Sequence, residues 1–288
     1  MKKITIEDKR YPKLLKKIKN PPTKLYLEGN LELLNKNIIS IVGARNCTER
    51  GMELTKKFAG ELSDQGLVIA SGMAHGIDSA AHIGTIEQKG KTIAVLGSGF
   101  NHIFPKENVW LYQEILKKDG LIISEYSPEV KPKSNLFLER NRIVSGISIG
   151  ILVIEAAYRS GTSVTARLAK TQGRKVFVLP HEIDDKHGVG TNQLIRKGAI
   201  LVTSTKEIIE EFEFLTYKKE IKKEKKILEK KFKNKDYEKI YKLIEEGTKE
   251  VNEISRKTNY SISEITNILF MLEIEGYIKK GEKGYICI

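Results

Sequence analysis

The chain has 288 residues, 40% of them hydrophobic, and a formal net charge of +13. That length allows one large domain plus a small one, and the basic balance suits a polyanionic partner, nucleic acid first. The two cysteines, Cys47 and Cys287, exclude a disulfide framework, the longest apolar run is too short to span a bilayer, and MKKITIEDKRYPK has no signal-peptide core, so a cytoplasmic protein without membrane contact is expected.

Residues 1–35 read as a short basic appendage in which Pro21-Pro22 breaks any helix. Short β-rich runs then alternate with helical patterns. The runs are IISIVG (38–43), LVIA (67–70), TIAVLG (92–97), LIIS (121–124), ISIGILVIE (147–155), KVFVLP (175–180) and AILVT (199–203). Runs that are apolar on both faces suit a parallel sheet covered by helices on each side. Between the first two, Leu54, Phe58 and Leu62 fall at helical spacing. Residues 36–217 are therefore expected to form an extended, Rossmann-like, doubly wound α/β domain with a mainly parallel sheet.

Residues 218–235 form a connector with 10 lysines and 3 glutamates, a net +7. The pattern changes over 236–288. An amphipathic helix ends in Gly247, and a second short helix follows. A third opens with Ser261 and Glu264 as a capping box, and a hairpin turns between Gly281 and Gly284. This is the element order of a winged helix. The piece has 8 basic and 10 acidic residues, a net −2, against 32 and 24 for residues 1–217, a net +8. The exposed candidates on its third helix are Ser263, Glu264, Thr266, Asn267 and Glu273, with no Arg or Lys to offer a guanine. Nucleic acid is expected on the body, and protein or weak duplex contact on the C-terminal piece.

Several strands deliver a glycine to their carboxyl ends: Gly43, Gly72, Gly97 and Gly99. In an open α/β sheet that edge binds ligands. A glycine there lets a backbone amide approach a phosphate, with the next helix aiming its positive end at the same spot. A tight strand-to-helix turn explains each glycine equally well. Ser71-Gly72-Met73-Ala74 is expected to feed directly into a helix. GSGFNH departs from the dinucleotide fingerprint at His102, and no acidic residue ends a following strand, so no cofactor is expected.

Arg45, two residues after Gly43, stands at the same edge with a guanidinium suited to bidentate phosphate contact. The stretch FLERNRIVSG (137–146) adds Phe137, Arg140 and Arg142, with Lys133 just ahead. Cations interleaved with an aromatic suit a single strand, because charges track the backbone while a base stacks. Phe137 reads equally as a core residue, and Arg142 better as an internal ion pair with Glu139 or Glu155. His75, Asp78 and His82 at i, i+3 and i+7 share a helix face, a candidate metal or acid–base cluster with no further Cys or His close in sequence; the favoured reading is that Asp78 orients Arg45 or a backbone amide. Ser160, Gly161 and Thr162 form another anion-friendly turn, and no nucleophile stands out.

Taken together, IVGAR (41–45), SGMAHGIDSAAHIGT (71–85), GSGFNHIFPKEN (97–108), FLERNRIVSGIS (137–148), VIEAAYRSGTSVTA (153–166) and GTNQLIRKGA (190–199) resemble the DNA-processing protein A family over nearly the whole chain. The resemblance implies an extended Rossmann fold that binds single-stranded DNA without strong sequence preference. It also implies a homodimer, loading of a RecA-type recombinase during natural transformation, and no catalytic activity. It carries a DNA pocket to Gly43, Arg45, Ser71, Gly72, Phe137, Arg140 and Asn141, with Lys133 nearby. Leu138 stands where many relatives have proline, and His181 where they have glycine. An alternative of another class is a nucleotide phosphoribohydrolase, whose Gly-Gly-x-Gly-Thr turn RSGTSVTA resembles, with Arg159 and Ser160 in place of the first two glycines.

Overall fold

In the computed structural model, which describes residues 1–158, 160–212, 232, 234–247, 250–281 and 284–287, every β-rich run of the sequence contributes a strand to one sheet. These strands are β3 (Ile38–Val42), β4 (Val68–Ser71), β5 (Thr92–Leu96), β6 (Leu121–Ser124), β7 (Gly150–Val153), β8 (Lys175–Val178) and β9 (Ile200–Leu201). All seven pair in parallel. Every residue of β3 to β7 is buried, as a sheet covered on both faces requires.

Residues 1–35 are not an appendage. They supply β1 (Lys2–Thr5), the short α1 (Lys13–Lys16) and β2 (Lys24–Gly29). β2 joins the sheet antiparallel to β6, pairing Gly29 with Leu121, and β1 pairs antiparallel with β2. The nine strands run in the order β1-β2-β6-β5-β4-β3-β7-β8-β9.

Helices cover both faces. They are α2 (Glu49–Asp64), α3 (Ile77–Glu87), α4 (Val109–Lys117), α5 (Ser134–Gly146), α6 (Gly161–Thr171), α7 (Val189–Arg196) and α8 (Thr205–Glu210). On one face Ile143 and Val144 of α5 and Ala166 and Ala169 of α6 pack over Val42, Val95 and Val153. On the other, Leu111 and Ile115 of α4 pack over Ala94, Leu96 and Ile122. Burying a side chain of this size contributes about 1.5–3 kcal/mol. The Ser40 hydroxyl donates to the Val144 carbonyl at 2.8 Å and ties the end of α5 to β3. One expected boundary shifts: the run 147–155 is strand only over Gly150–Val153. Arg140 and Arg142 lie in the middle and second half of α5.

The chain divides into two compact units, Met1–Glu213 and Phe214–Ile288. The second contains α9 (Lys235–Glu245), α10 (Val251–Thr258), α11 (Ile262–Ile274) and the hairpin β10 (Ile278–Gly281) with β11 (Gly284–Cys287). Ile240, Ile244, Ile254, Ile265, Leu269 and Leu272 form its core. Ser261 and Glu264 make the reciprocal capping box. Of the lysine-rich connector, all but Phe232, Asn234 and Lys235 lies outside the described residues. Those three belong to the second unit: Asn234 caps α9, and the Phe232 ring lies 5.2 Å from Tyr241 and 5.0 Å from Tyr277. Among the described residues no helix is long and apolar enough to cross a membrane.

Candidate nucleic-acid interface

Strand order reverses between β3 and β7, and at such a point the connections diverge and leave a crevice beyond the strands' carboxyl ends. A cavity of about 650 Å³ lies there. Gly43 and Arg45 reach it from the loop after β3 and Gly72 from the loop after β4. Phe104 comes from the loop after β5, and Phe137, Arg140 and Asn141 from α5. The start of α6, Ser160 to Thr162, closes the far side.

The Arg45 loop is fixed at both ends. The Ala44 carbonyl accepts the Ile77 amide of α3 at 3.2 Å. Beyond Arg45, the buried Glu155 carboxylate accepts the Thr48 amide at 3.1 Å and the Thr48 hydroxyl at 2.5 Å. Thr48 in turn caps α2 by accepting the Gly51 amide at 2.8 Å. Arg45 itself is exposed and makes no ion pair among the described residues. Its guanidinium lies 5.7 Å from the centre of the Phe137 ring, and the ring of Phe104, 44% exposed, is centred 5.4 Å from that of Phe137 and tilted 47° to it. A cation and two aromatic faces therefore share the cavity mouth.

Arg140 forms the floor. It is 3% exposed, its Nη1 donates to the Val95 carbonyl at 2.5 Å, and its buried Nε has no partner among the described residues. Gly72 makes this possible, since a Cβ there would fall 1.8 Å from Arg140 Nη1. Gly97 likewise leaves room for the Phe137 ring, and Gly43 for Ile77, each with a Cβ clearance of 2.5 Å. These strand-end glycines thus seat protein side chains. Burial pushes the neighbouring Asp78 carboxyl above the usual carboxylate range, and the Arg140 charge pulls it back. Burial also lowers the Arg140 guanidinium, which Asp78 opposes. A buried cation in low dielectric raises the potential of the whole cavity.

The expected site residues divide. Gly43, Arg45, Gly72, Phe137, Arg140 and Asn141 meet around one cavity. Ser71 lies behind it, buried, with its hydroxyl donating to the Ile41 carbonyl at 2.6 Å. Lys133 is exposed just ahead of α5 and does not line the cavity. Arg142 is an internal ion pair, but with Glu125, at 2.6 Å. Asp78 accepts the Ala74 amide at 3.4 Å, as expected of it. The turn after Ser71 does not feed directly into a helix. Residues 72–76 intervene, with Met73 and Gly76 at positive φ, and α3 starts at Ile77. A Cβ on Gly76 would also fall 2.5 Å from the carbonyl oxygens of Ala44 and Arg45, so only glycine lets the two loops touch.

His75 faces Glu107 at 3.6 Å, whereas His82 is buried with Nδ1 2.6 Å from the Thr92 hydroxyl and pushed down to about 3 by burial. Among the described residues no three His, Cys, Asp or Glu side chains gather as metal ligands. Two contributors escaped the sequence reading. Phe104 sits in a quoted motif but meets Phe137 only through the fold, and Glu155 pins Thr48 rather than pairing with an arginine.

Known proteins resemble this chain in sequence and fold. The chain is 41% identical over 209 residues to the DNA processing protein DprA of Bacillus subtilis, covering 72% of this chain and 70% of that protein. It is likewise 41% identical over 211 residues to the DprA of Streptococcus pneumoniae, covering 73% and 74%. The X-ray structure of the pneumococcal protein superposes with a TM-score of 0.70 at 40% identity, over 73% of this chain and 74% of that one. A structure of Helicobacter pylori DNA processing protein A, reported for its single-stranded DNA binding mode, superposes with a TM-score of 0.66 at 33% identity, over 73% and 95%. The family model of DNA recombination-mediator protein A matches residues 2–213, and the chain belongs to that family.

Proposed function

We propose that this protein holds single-stranded DNA in the β3–β7 crevice and passes it to a RecA-type recombinase. The observation that carries the reading is the cluster of Arg45, Phe137 and Phe104 at the mouth of a cavity floored by the buried Arg140 cation. In this reading Arg45 and the amides at the start of α6 take phosphates, Asn141 adds a polar contact, and the two phenylalanines take a base face. Stacking tolerates any base, which gives binding without sequence preference. The Helicobacter relative's single-stranded DNA binding supports the ligand. Family membership supports the remaining parts of the proposal: a cytoplasmic homodimer acting in DNA processing during natural transformation. The C-terminal unit, acidic on its exposed α11 positions, is assigned to protein contact.

The phosphoribohydrolase alternative has weaker support. Among the described residues lining the cavity the one carboxylate is Asp78, sunk 8% exposed behind Gly72. The test is a fluorescence-polarisation titration of a labelled oligothymidylate with Arg45→Ala/Phe104→Ala. Both side chains are exposed, so folding should survive. Affinity should fall by the ~1–3 kcal/mol of one stacked base, and the salt slope by about 0.7 for one lost phosphate contact. Unchanged affinity would remove the site assignment.

A further inference from the structure

The chain leaving β5 carries two exposed rings, and the crevice uses one of them. Phe104 lines the crevice and meets Phe137. Trp110, the one tryptophan of the sequence, is 51% exposed six residues later, in the first turn of α4. Tryptophan is highly buried on average, so an indole half in water is unusual. Among the described residues no ring or cation covers it, and its indole nitrogen has no hydrogen-bond partner. The segment between the rings is fixed to the crevice wall. The buried Asn108 side-chain amide donates to the Met73 carbonyl and to the Ser79 hydroxyl, both at 2.8 Å. Met73 belongs to the 72–76 loop, whose Gly72 and Ala74 line the crevice. The Asn108 backbone amide closes a 3₁₀ turn, Lys106–Asn108, onto the Pro105 carbonyl at 3.1 Å. Two extended residues, three at 3₁₀ rise and one at α rise put the Cα atoms of Phe104 and Trp110 at most about 15 Å apart. That is about four nucleotides at stacked spacing.

Cations accompany this path. Lys106 lies exposed on the turn between the two rings. The loop 127–133 is bonded beside the start of the segment, with the Gly99 amide donating to the Val130 carbonyl at 2.8 Å and the Asn101 amide to the Pro128 carbonyl at 3.1 Å. It brings Lys131 and Lys133, both exposed. None of these three lysines has an ion-pair partner among the described residues. The carboxylates nearby are engaged: Glu107 faces His75 at 3.6 Å, and Glu129 accepts the Asn101 side-chain amide at 2.5 Å. We propose that Trp110 is a second base platform, so that a single-stranded nucleic acid leaving the crevice over Phe104 follows residues 105–109 and stacks a base on the indole. An aromatic face beside unpaired lysines is the equipment that such a strand uses. This rests on the function proposed above and extends it by a residue outside the cavity. A protein partner fits less well, because lysines rather than an apolar surface surround the ring.

Because Trp110 is the one tryptophan, its fluorescence in the full-length protein reports on this position alone. The test titrates oligothymidylates of about 5 and about 15 nucleotides, within the span of site sizes for single-strand binders, and reads binding by polarisation of a labelled chain and stacking by indole emission. The long chain should quench the indole at saturation, and the short one should bind without doing so. Trp110→Ala should lose about fivefold in affinity for the long chain, the lower end for one stacked base, and keep its affinity for the short one. Trp110→Phe should restore most of the loss, since a ring is what the role requires. Indole emission unchanged by saturating long chain would overturn the proposal, as would wild-type affinity of Trp110→Ala for that chain. Equal losses for both lengths would also overturn it, because the substitution would then act on the crevice or on the fold. Failure of the wild type to bind the short chain would strike the reading of the crevice itself, and the second platform with it.

Discussion

The two units of this chain present different chemistry at their surfaces. In the large unit, cations collect around a cavity, Arg45 at its mouth and Arg140 beneath it. In the C-terminal unit, α11 exposes Glu264 and Glu273 beside Phe270, 60% exposed, and Ile274, 63% exposed. Three helices and a hairpin of this order suggest a reader of duplex DNA, yet the helix lacks the Arg and Lys that such reading uses. Element order alone would put a nucleic-acid site on the C-terminal unit; the placement of charge against a cavity supports the proposal that it lies on the large one.

The sharpest way to break this contrast is at Arg140. If its charge is built into the large unit, Arg140→Ala strands the Val95 carbonyl and leaves Asp78 with only the weaker Arg45 charge to compensate it. A loss of roughly 3 kcal/mol of stability is expected, read from the urea midpoint. A midpoint unchanged by the substitution would show the buried cation to be dispensable.

His82 sets the next largest effect. It is held neutral in the fold, down to about 3, so below the unfolded value near 6.5 the unfolded chain binds the extra proton. Stability from this group is complete above about pH 6.5 and declines by about 1.4 kcal/mol per unit as the pH falls toward 3. At pH 5 the penalty is about 2 kcal/mol, and the difference between wild type and His82→Gln, measured at pH 7 and pH 5, should shrink by that amount. A difference independent of pH would mean that His82 titrates normally.

Two smaller effects sharpen the comparison. Phe104→Ala alone should weaken single-strand binding by ~1 kcal/mol, the lower end for a stacked base, with no change in melting temperature. Deleting 236–288 should leave single-strand affinity within about twofold, because the salt-dependent contacts belong to the large unit. Loss of nearly all binding on that truncation would reverse the assignment of the two units.

How much of this was legible in sequence depends on how local each interaction is. The parallel strands were legible because runs such as IISIV are apolar on both faces and bury every residue. β1 and β2 were not. KKIT buries one residue, and KLYLEG, which buries its three central residues, follows a proline pair, so the membership of β2 in the sheet rests on distant pairing to β6 and that of β1 on pairing to β2. In the site, Arg45 was legible from its distance past a strand end. The depth of Arg140 was not, because it depends on Gly72 yielding the space, a contact between separate elements. Phe104 and Glu155 escaped for the same reason: each acts on a residue from a separate element, Phe104 on Phe137 of α5 and Glu155 on Thr48.

The central claim is that an unpaired strand lies in the β3–β7 crevice of the large unit. Hydrogen–deuterium exchange of the full-length protein, with and without saturating oligothymidylate, tests it most directly. Slowed exchange is predicted over 43–48, 72–76 and 137–141, with 250–281 unchanged. Protection confined to 250–281, with those loops unaffected, would contradict it.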